Sequence, residues 1–342
     1  MKTGVKLCSN CVRNIKSNYI KSDGEECIYC QAFNKNKKNL ENRLEKIKGT
    51  FLVDLNRKRG KGYYDCIVMV SGGKDSITAL YKISKNTDLR VLAYTIENGF
   101  EPIEAIANIK KVVEKLGIDW IYDRPRYMVK VIRAVLKEKI KISLCRFCAT
   151  AMVNRAIKTA AVYKIPTIVT GWNKGQSDKE PSRFPLWNLS DTEVDKLIKK
   201  YPFMKDIGLH ENENRKLLEK LNIRVISPWI YEARDSNLNI RLLQKKLGWE
   251  VTKISYPYGS TSCYLNLLQV VLSRKYFGYS HYDCEESMLI NYGEKTRKEA
   301  IQALNHKINK AKIIEILKDL DLSLKDIGLT VKELNQYINF LY

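Results

Sequence analysis

The sequence predicts an α/β protein whose main domain is a doubly wound parallel sheet, preceded by a small cysteine-rich unit and followed by a helical region. Three observations indicate this arrangement. Apolar strand-like runs alternate with helical segments in the middle of the chain, two Cys-x2-Cys pairs precede them, and helical periodicity dominates from Asn266 onward. Since parallel strands need crossover helices, the alternation favours a parallel sheet with ligands at the carboxyl ends of its strands.

The strands are predicted from β-branched apolar runs at 64–70, 90–96, 120–122 and 167–170, with a last strand at 225–229. Helical spacing predicts helices at 77–83 and 103–116. The tail 298–342 has helical periodicity that breaks at 321–323.

Changes in composition divide the 342 residues into four segments. We expect a metal-organised knuckle at 1–33, a charged helix with a basic linker at 34–62, the sheet domain at 63–270, and a helical C-terminal region at 271–342.

The charge of the chain is strongly positive. The sequence has 60 Lys and Arg against 38 Asp and Glu, a formal net charge of +22, which favours a polyanionic partner. The alternative is a Lys- and Asn-rich composition bias with no such partner. No apolar stretch is long enough for a membrane span, and the N-terminus, which begins with residues 1–4, lacks the apolar region of a secretory signal. We therefore expect a cytosolic protein without a membrane partner.

The most informative segment is the loop Ser71-Gly72-Gly73-Lys74-Asp75-Ser76, which follows a buried strand and precedes a helix. Glycines let backbone N–H groups turn toward a ligand, and a helix N-terminus adds partial positive charge, so the loop suits a phosphate. Lys74 adds a full charge, the hydroxyls of Ser71 and Ser76 can donate to phosphate oxygens, and Asp75 can hold Mg²⁺ or cap the helix. An ordinary capped strand-to-helix turn is the structural alternative.

This string resembles the phosphate loop of the PP-loop ATP pyrophosphatases, whose fold is of the HUP-like type, and the resemblance spans about residues 64–270. It implies that ATP is split into AMP and pyrophosphate while a carbonyl or carboxyl oxygen is adenylated, and that nitrogen or sulfur then displaces AMP. Lys74 and Asp75 become the expected catalytic residues, and residues 71–76 the ATP-binding loop. The turns Thr95-Ile96-Glu97-Asn98 and Thr170-Gly171-Trp172-Asn173 match positions beside the nucleotide, which adds Thr95 and Gly171 to the expected ATP site.

The first four of the nine cysteines are Cys8-x2-Cys11-x15-Cys27-x2-Cys30, the spacing of a four-thiolate zinc site. In a reducing compartment such paired cysteines indicate metal rather than disulfides. The set predicts a structural Zn²⁺. Similar N-terminal fingers precede the PP-loop domain in tRNA 2-thiolation enzymes and in N-acetyl sugar amidotransferases.

A second pair, Cys145-x2-Cys148, has only Cys263 as a plausible third ligand in a turn-rich segment, while Cys66 and Cys284 look like core residues. Three thiolates would leave one iron of a [4Fe-4S] cluster open for exogenous sulfide. The order of these cysteines around the Thr-Gly-x-Asn turn resembles the cluster-dependent tRNA thiolation enzymes. A redox or zinc CxxC, or buried thiols acting as small apolar groups, are the other interpretations.

Two functions follow from the resemblance. The first is an ATP-dependent sulfurtransferase that thiolates a nucleobase in tRNA and receives sulfur from a donor. The second is an N-acetyl sugar amidotransferase of surface-polysaccharide synthesis that receives ammonia from a glutaminase partner. Both leave room for a homodimer. A second zinc finger after Cys263, usual in the tRNA enzymes, is missing from this sequence.

Overall fold

A computed structural model describes residues 5–177, 184–232, 235–257 and 263–342. The described part contains two sheets. Strands β1 (Ser22–Asp23) and β2 (Glu26–Cys27) form a short antiparallel hairpin. The main sheet consists of five strands, β3 (Cys66–Met69), β4 (Val91–Ile96), β5 (Asp119–Asp123), β6 (Thr167–Val169) and β7 (Arg224–Ile226).

The main sheet is parallel throughout, with strand order β5-β4-β3-β6-β7. The chain therefore runs outward from β3 through β4 to β5, and then returns to the other side of β3. This reversal creates a switch point between β3 and β6, where open α/β sheets form a crevice outside the strand ends. The predicted doubly wound parallel sheet is confirmed.

Helices surround the sheet and dominate the C-terminal region. In chain order they are α1 (Ile28–Ile47), α2 (Phe51–Asn56), α3 (Lys74–Asn86), α4 (Ile103–Leu116), α5 (Tyr127–Lys137), α6 (Leu144–Val162), α7 (Lys174–Ser177), α8 (Phe184–Trp187), α9 (Asp191–Lys200), α10 (Glu211–Leu221), α11 (Pro228–Tyr231), α12 (Ser236–Leu247), α13 (Leu265–Phe277), α14 (His281–Asn291), α15 (Arg297–Leu304), α16 (Lys310–Asp319) and α17 (Val331–Ile338).

The two faces of the sheet are buried in separate cores because successive strand residues point to opposite sides. Val68 and Ala93 face a core shared with α3, α4 and α12, whereas Ile67 and Leu92 face one shared with α6. A third core joins α5 and α6 to α13 and α16. Since α13 is buried along most of its length, the C-terminal helices are part of this packing.

Several predicted boundaries differ from the structure. Helix α1 begins at Ile28, so it contains Cys30 and crosses the boundary expected after residue 33; α2 lies inside the expected linker; and α13 crosses the boundary expected after residue 270. The run 225–229 is a strand only as far as Ile226, because Pro228 starts α11. The expected break in the tail is found, since α16 ends at Asp319 and Asp321 has a φ of 50°.

Candidate functional site

The glycine-containing loop follows β3 and leads into α3. Gly73 is the N-cap of α3, and Gly72 has a φ of +78°, a conformation that side-chain-bearing residues rarely adopt. A Cβ on Gly72 would lie 2.4 Å from the carbonyl oxygen of Ala105 in α4. Both the backbone conformation and the close approach of α4 therefore require glycine here.

Hydroxyl groups hold this loop in shape. The Ser71 backbone N–H donates to Ser76 Oγ at 3.2 Å, and Ser76 Oγ donates to the Gly73 carbonyl at 3.1 Å. Lys74 is buried, with its Nζ 3.6 Å from Asp75 Oδ2. A buried ammonium beside a carboxylate, at the N-terminus of a helix, suits a Mg²⁺-bound polyphosphate.

The turn after β6 meets the same loop. A Cβ on Gly171 would lie 2.7 Å from Ser76 Cα, so glycine permits this approach. Since β3 and β6 are neighbours at the switch point, the structure brings the expected ATP-binding residues 71–76 and Gly171 together in the crevice.

Thr95 is engaged within the sheet. Its hydroxyl donates to the Val70 carbonyl at 2.8 Å and accepts from Trp120 Nε1 at 2.9 Å. These bonds tie the end of β3 to β4 and β5. A nucleotide contact by Thr95 remains a prediction, and its observed bonds are those of a residue that orders the strand ends.

The second cysteine group assembles from three distant segments. Cys145 and Cys148 lie in the first two turns of α6, Cys263 directly precedes the turn into α13, and Asn98 follows β4. Asn98 Nδ2 lies 3.3 Å from Cys263 Sγ and 3.8 Å from Cys148 Sγ. Residues 258–262, which the sequence placed beside Cys263, lie outside the described part of the chain.

The chemistry of this group differs from that of a site for one metal ion. Among the described residues, the three sulfurs are not all within 4.8 Å of one another. A [4Fe-4S] cluster is held by cysteine thiolates, each on a different iron, so three cysteines that meet at one place match it in ligand type. Burial raises the pKa of both Cys148 and Cys263, so without a metal they are neutral thiols.

Glu101 lies beside these thiols and was missed by the sequence reasoning. Its carboxylate accepts backbone N–H groups of Asn98 at 3.1 Å, Gly99 at 3.2 Å and Phe100 at 3.2 Å. Burial raises the pKa of Glu101 to about 7. The acidic side chain shortly after Asn98 was the available signal, but its proximity to Cys148 and Cys263 depends on the tertiary fold.

The loop of residues 97–105 connects the two parts of the site. At one end Asn98 contacts the thiols, and the Phe100 carbonyl accepts the Tyr264 N–H at 2.8 Å. At the other end Ala105 touches Gly72 of the glycine loop. The thiols and the phosphate-type loop therefore both lie at the carboxyl-end edge of the sheet, where the neighbouring strands β4 and β3 end.

The N-terminal cysteines form a compact four-sulfur site. The sulfurs of Cys8, Cys11, Cys27 and Cys30 are buried and lie within 4.8 Å of one another. Cys11 and Cys27 are 3.8 Å apart, and Cys8 and Cys30 are 4.0 Å apart. A tetrahedral zinc ion with Zn–S bonds of about 2.3 Å separates its sulfurs by about 3.8 Å, so the residues fit zinc.

Polar neighbours of this site also fit thiolates. Arg13 Nη1 donates to Cys11 Sγ at 3.4 Å, and its guanidinium is fully buried. Asn291 Oδ1 lies 3.4 Å from Cys30 Sγ, while Asn291 Nδ2 has no partner within the described residues. Exchanging the amide oxygen and nitrogen would give a Cys30 thiolate a donor. Arg13 and Asn291 were not recognised from the sequence.

The sheet order, with the glycine loop at its switch point, is that of an open α/β domain whose ligand site lies at the carboxyl ends of its strands. Residues 64–158 match the family described as "Diphthamide synthase N-terminal domain". The predicted resemblance to PP-loop ATP pyrophosphatases is thereby confirmed for this segment.

The chain is 26% identical over 224 residues to the uncharacterized protein MJ1599 of Methanocaldococcus jannaschii, covering 65% of this chain and 73% of that protein. Among solved structures, it resembles the U34-tRNA thiolase NcsA from Methanococcus maripaludis with its [4Fe-4S] cluster, at 16% identity and a TM-score of 0.40, over 98% of this chain and 99% of that one. It also resembles the NH3-dependent NAD synthetase from Campylobacter jejuni, at 13% identity and a TM-score of 0.32, over 61% of this chain and 93% of that one.

No helix in the described residues has both the length and the apolar character needed to cross a membrane.

Proposed function

We propose that this protein is an ATP-dependent adenylating transferase that introduces sulfur into a nucleobase, most simply of tRNA. The observation that carries the proposal is the shared edge of the sheet. The loop of residues 97–105 joins the Lys74 loop to the Asn98, Cys148 and Cys263 group. An enzyme that both activates an oxygen and delivers a sulfur needs these two chemistries side by side.

The glycine loop would perform the activation. Backbone N–H groups of residues 72 and 73 and the N-terminus of α3 bind the phosphates, and Asp75 would hold Mg²⁺, which neutralises phosphate charge. The carbonyl oxygen of the substrate attacks the α-phosphorus, and pyrophosphate leaves with its negative charge stabilised by Lys74. This step converts a poor leaving group into an adenylate.

The thiols would serve the second step. Cys145, Cys148 and Cys263 would hold the [4Fe-4S] cluster, which when bound supplies an open iron position for exogenous sulfide. Incoming hydrosulfide adds to the activated carbon, its proton passes to a base or to solvent, and AMP departs with the former carbonyl oxygen. Asn98 positions Cys263 and Cys148 through its amide. The +22 charge supports a polyanionic substrate such as tRNA.

Nitrogen transfer is the second candidate. It is supported by the four-thiolate site ahead of the glycine loop, an order that N-acetyl sugar amidotransferases share. In that case ammonia from a glutaminase partner would displace AMP from an adenylated N-acetyl sugar.

Anaerobic purification followed by absorbance and iron and sulfide assays distinguishes the two. Sulfur transfer predicts broad absorbance near about 400 nm and about four iron atoms per chain. A colourless protein that holds zinc alone would exclude the sulfur mechanism. Release of AMP and pyrophosphate from ATP in the presence of tRNA tests the adenylation step itself. If folded, metal-loaded protein releases neither product, the tRNA substrate is excluded.

A further inference from the structure

A cavity of about 380 Å³ opens at the carboxyl ends of β4 and β5, beside the thiols. Its volume is in the range of small-ligand sites, about 300–1,000 Å³. Residues that line it include Glu97, Asn98, Gly99, Arg124, Arg126 and Val129. A Cβ on Gly99 would lie 2.7 Å from Val129 Cγ2, so the loop after β4 and the start of α5 approach each other closely at this cavity.

One residue that lines the cavity, Asn98, also contacts the thiols. Asn98 lines the cavity, and its amide lies 3.3 Å from Cys263 Sγ and 3.8 Å from Cys148 Sγ. A group seated in the cavity is therefore one side chain away from the sulfur chemistry proposed above. The cavity is therefore a candidate position for the acceptor of that sulfur.

A fixed acceptor group faces this space. Glu97 has a side chain only 8% exposed, and its carboxylate is held by Arg124 Nε at 2.9 Å and by the Tyr122 hydroxyl. An ionised carboxylate has about four acceptor positions, so it retains capacity for a further N–H donor. The imide or amino N–H of a pyrimidine base is such a donor.

The rim of the cavity is cationic. Arg126 is exposed at the N-cap of α5, and Lys130 is exposed one turn further along the same face. Within the described part of the chain, neither Arg126 nor Lys130 is engaged in an ion pair. Their positive charges are therefore available to an anion such as a phosphodiester.

We propose that this cavity receives one unpaired nucleotide of an RNA, with its base against Glu97 and its phosphate on Arg126 and Lys130. Bases that are read in single-stranded RNA are splayed out of their stack, and such a base needs a pocket beside a cationic rim. The inference rests on the proposed function and specifies the acceptor site of that function.

The test is binding of an unmodified tRNA transcript to the metal-loaded full chain, measured by fluorescence anisotropy from about 50 to 200 mM salt. Arg126→Ala should raise Kd about tenfold and reduce the slope of log Kd against log salt by about one phosphate contact. The matched control is Lys245→Ala, which removes an exposed charge from α12, far along the chain from the cavity, and should leave Kd near the wild-type value.

A second pair of variants separates the cavity from general electrostatic attraction. Val129→Trp keeps the charge but fills the cavity, so it should weaken binding without changing the salt slope. Thermal melting shows whether Val129→Trp is folded. If the tryptophan unfolds the protein, Val129→Met is used in place of Val129→Trp.

The outcomes are distinguishable. The cavity assignment would be overturned if Arg126→Ala binds tRNA as tightly as Lys245→Ala does. It would also be overturned if a folded Val129 variant binds tRNA like the wild type; in both cases tRNA binding by the protein would stand. A wild-type protein that binds no tRNA at low salt would overturn the tRNA substrate and the cavity assignment together.

Discussion

The amide nitrogen of Asn98 lies 3.3 Å from the sulfur of Cys263, although the two residues are separated by 165 positions in the chain. Asn98 leaves the end of β4, the strand beside the one that carries the glycine loop, and Cys263 precedes the first turn of α13. This contact brings the C-terminal helices to the carboxyl-end edge of the sheet. The same edge carries the glycine loop at the end of β3.

Lys74→Ala should reduce ATP-dependent pyrophosphate release by about 100-fold or more, because a preorganised positive charge on the leaving phosphates is lost. The rate of pyrophosphate release measures this directly. Lys85→Ala, an exposed lysine at the end of the same helix, is the matched control and should retain full activity. Equal rates for the two variants would remove Lys74 from the catalytic residues.

Gly171→Ala should raise the KM for ATP about tenfold or more, since a Cβ 2.7 Å from Ser76 Cα displaces the loop that holds the phosphates. Gly117→Ala provides the comparison. Gly117 has a φ of +65° and no atom within 4 Å of its added Cβ, so its substitution costs only backbone strain of about 1 kcal/mol. Similar KM values in both variants would contradict a close role for Gly171.

Cys263→Ala should lower the iron content of anaerobically purified protein from the expected level of about four atoms per chain to well below that level, because the proposed cluster would lose one of three thiolate ligands. Iron and acid-labile sulfide assays measure this. Cys66→Ala replaces a buried cysteine of β3 and should leave the iron content unchanged. Loss of iron in both variants would indicate a folding defect rather than the removal of an iron ligand.

Cys30→Ser should abolish zinc binding at the proposed N-terminal site and lower Tm, since structural zinc binding contributes about 10 kcal/mol or more to small metal-organised units. Arg297 donates to the Cys8 and Cys11 carbonyls at 3.1 Å, so hydrogen exchange should also increase in α15. Metal analysis, melting curves and exchange mass spectrometry measure these effects. Cys263→Ala should keep its zinc, and retention of zinc by Cys30→Ser would rule out the four-thiolate site.

Glu101→Gln should abolish part of the pH dependence of stability. In the folded protein the Glu101 carboxyl has a pKa of about 7, whereas its ordinary value is 4.5. The folded state therefore binds more protons between these values, and the free energy of unfolding falls as pH rises from about 4.5 to 7, by about 2–3 kcal/mol from this group.

Urea unfolding at several pH values from 5 to about 8 measures this decline. The Glu101→Gln variant should show a flatter profile and exceed the wild type in stability at the upper end. Glu114→Gln changes an exposed carboxyl on α4 and should reproduce the wild-type profile. If the free energy of unfolding of Glu101→Gln falls with pH as steeply as that of the wild type, the decline comes from other groups.

The sequence alone determined the features that depend on neighbours along the chain. The glycine loop, the strand-helix alternation and the Cys8, Cys11, Cys27 and Cys30 spacing are local patterns, because a phosphate loop needs a strand before it and a helix after it, and a zinc knuckle needs two closely spaced thiols. The helix Ile103–Leu116 has the same bounds in the sequence prediction and in the structure.

Only the tertiary structure decided which distant residues meet. Asn98 beside Cys148 and Cys263, the burial that raises the pKa of Glu101, and Asn291 against the Cys30 thiol all depend on packing between elements far apart in the chain. A side chain's environment is set by those neighbours, and periodicity reports only which face of its own element it occupies. For that reason the phosphate loop was recognisable in the sequence, whereas the cavity beside the thiols was not.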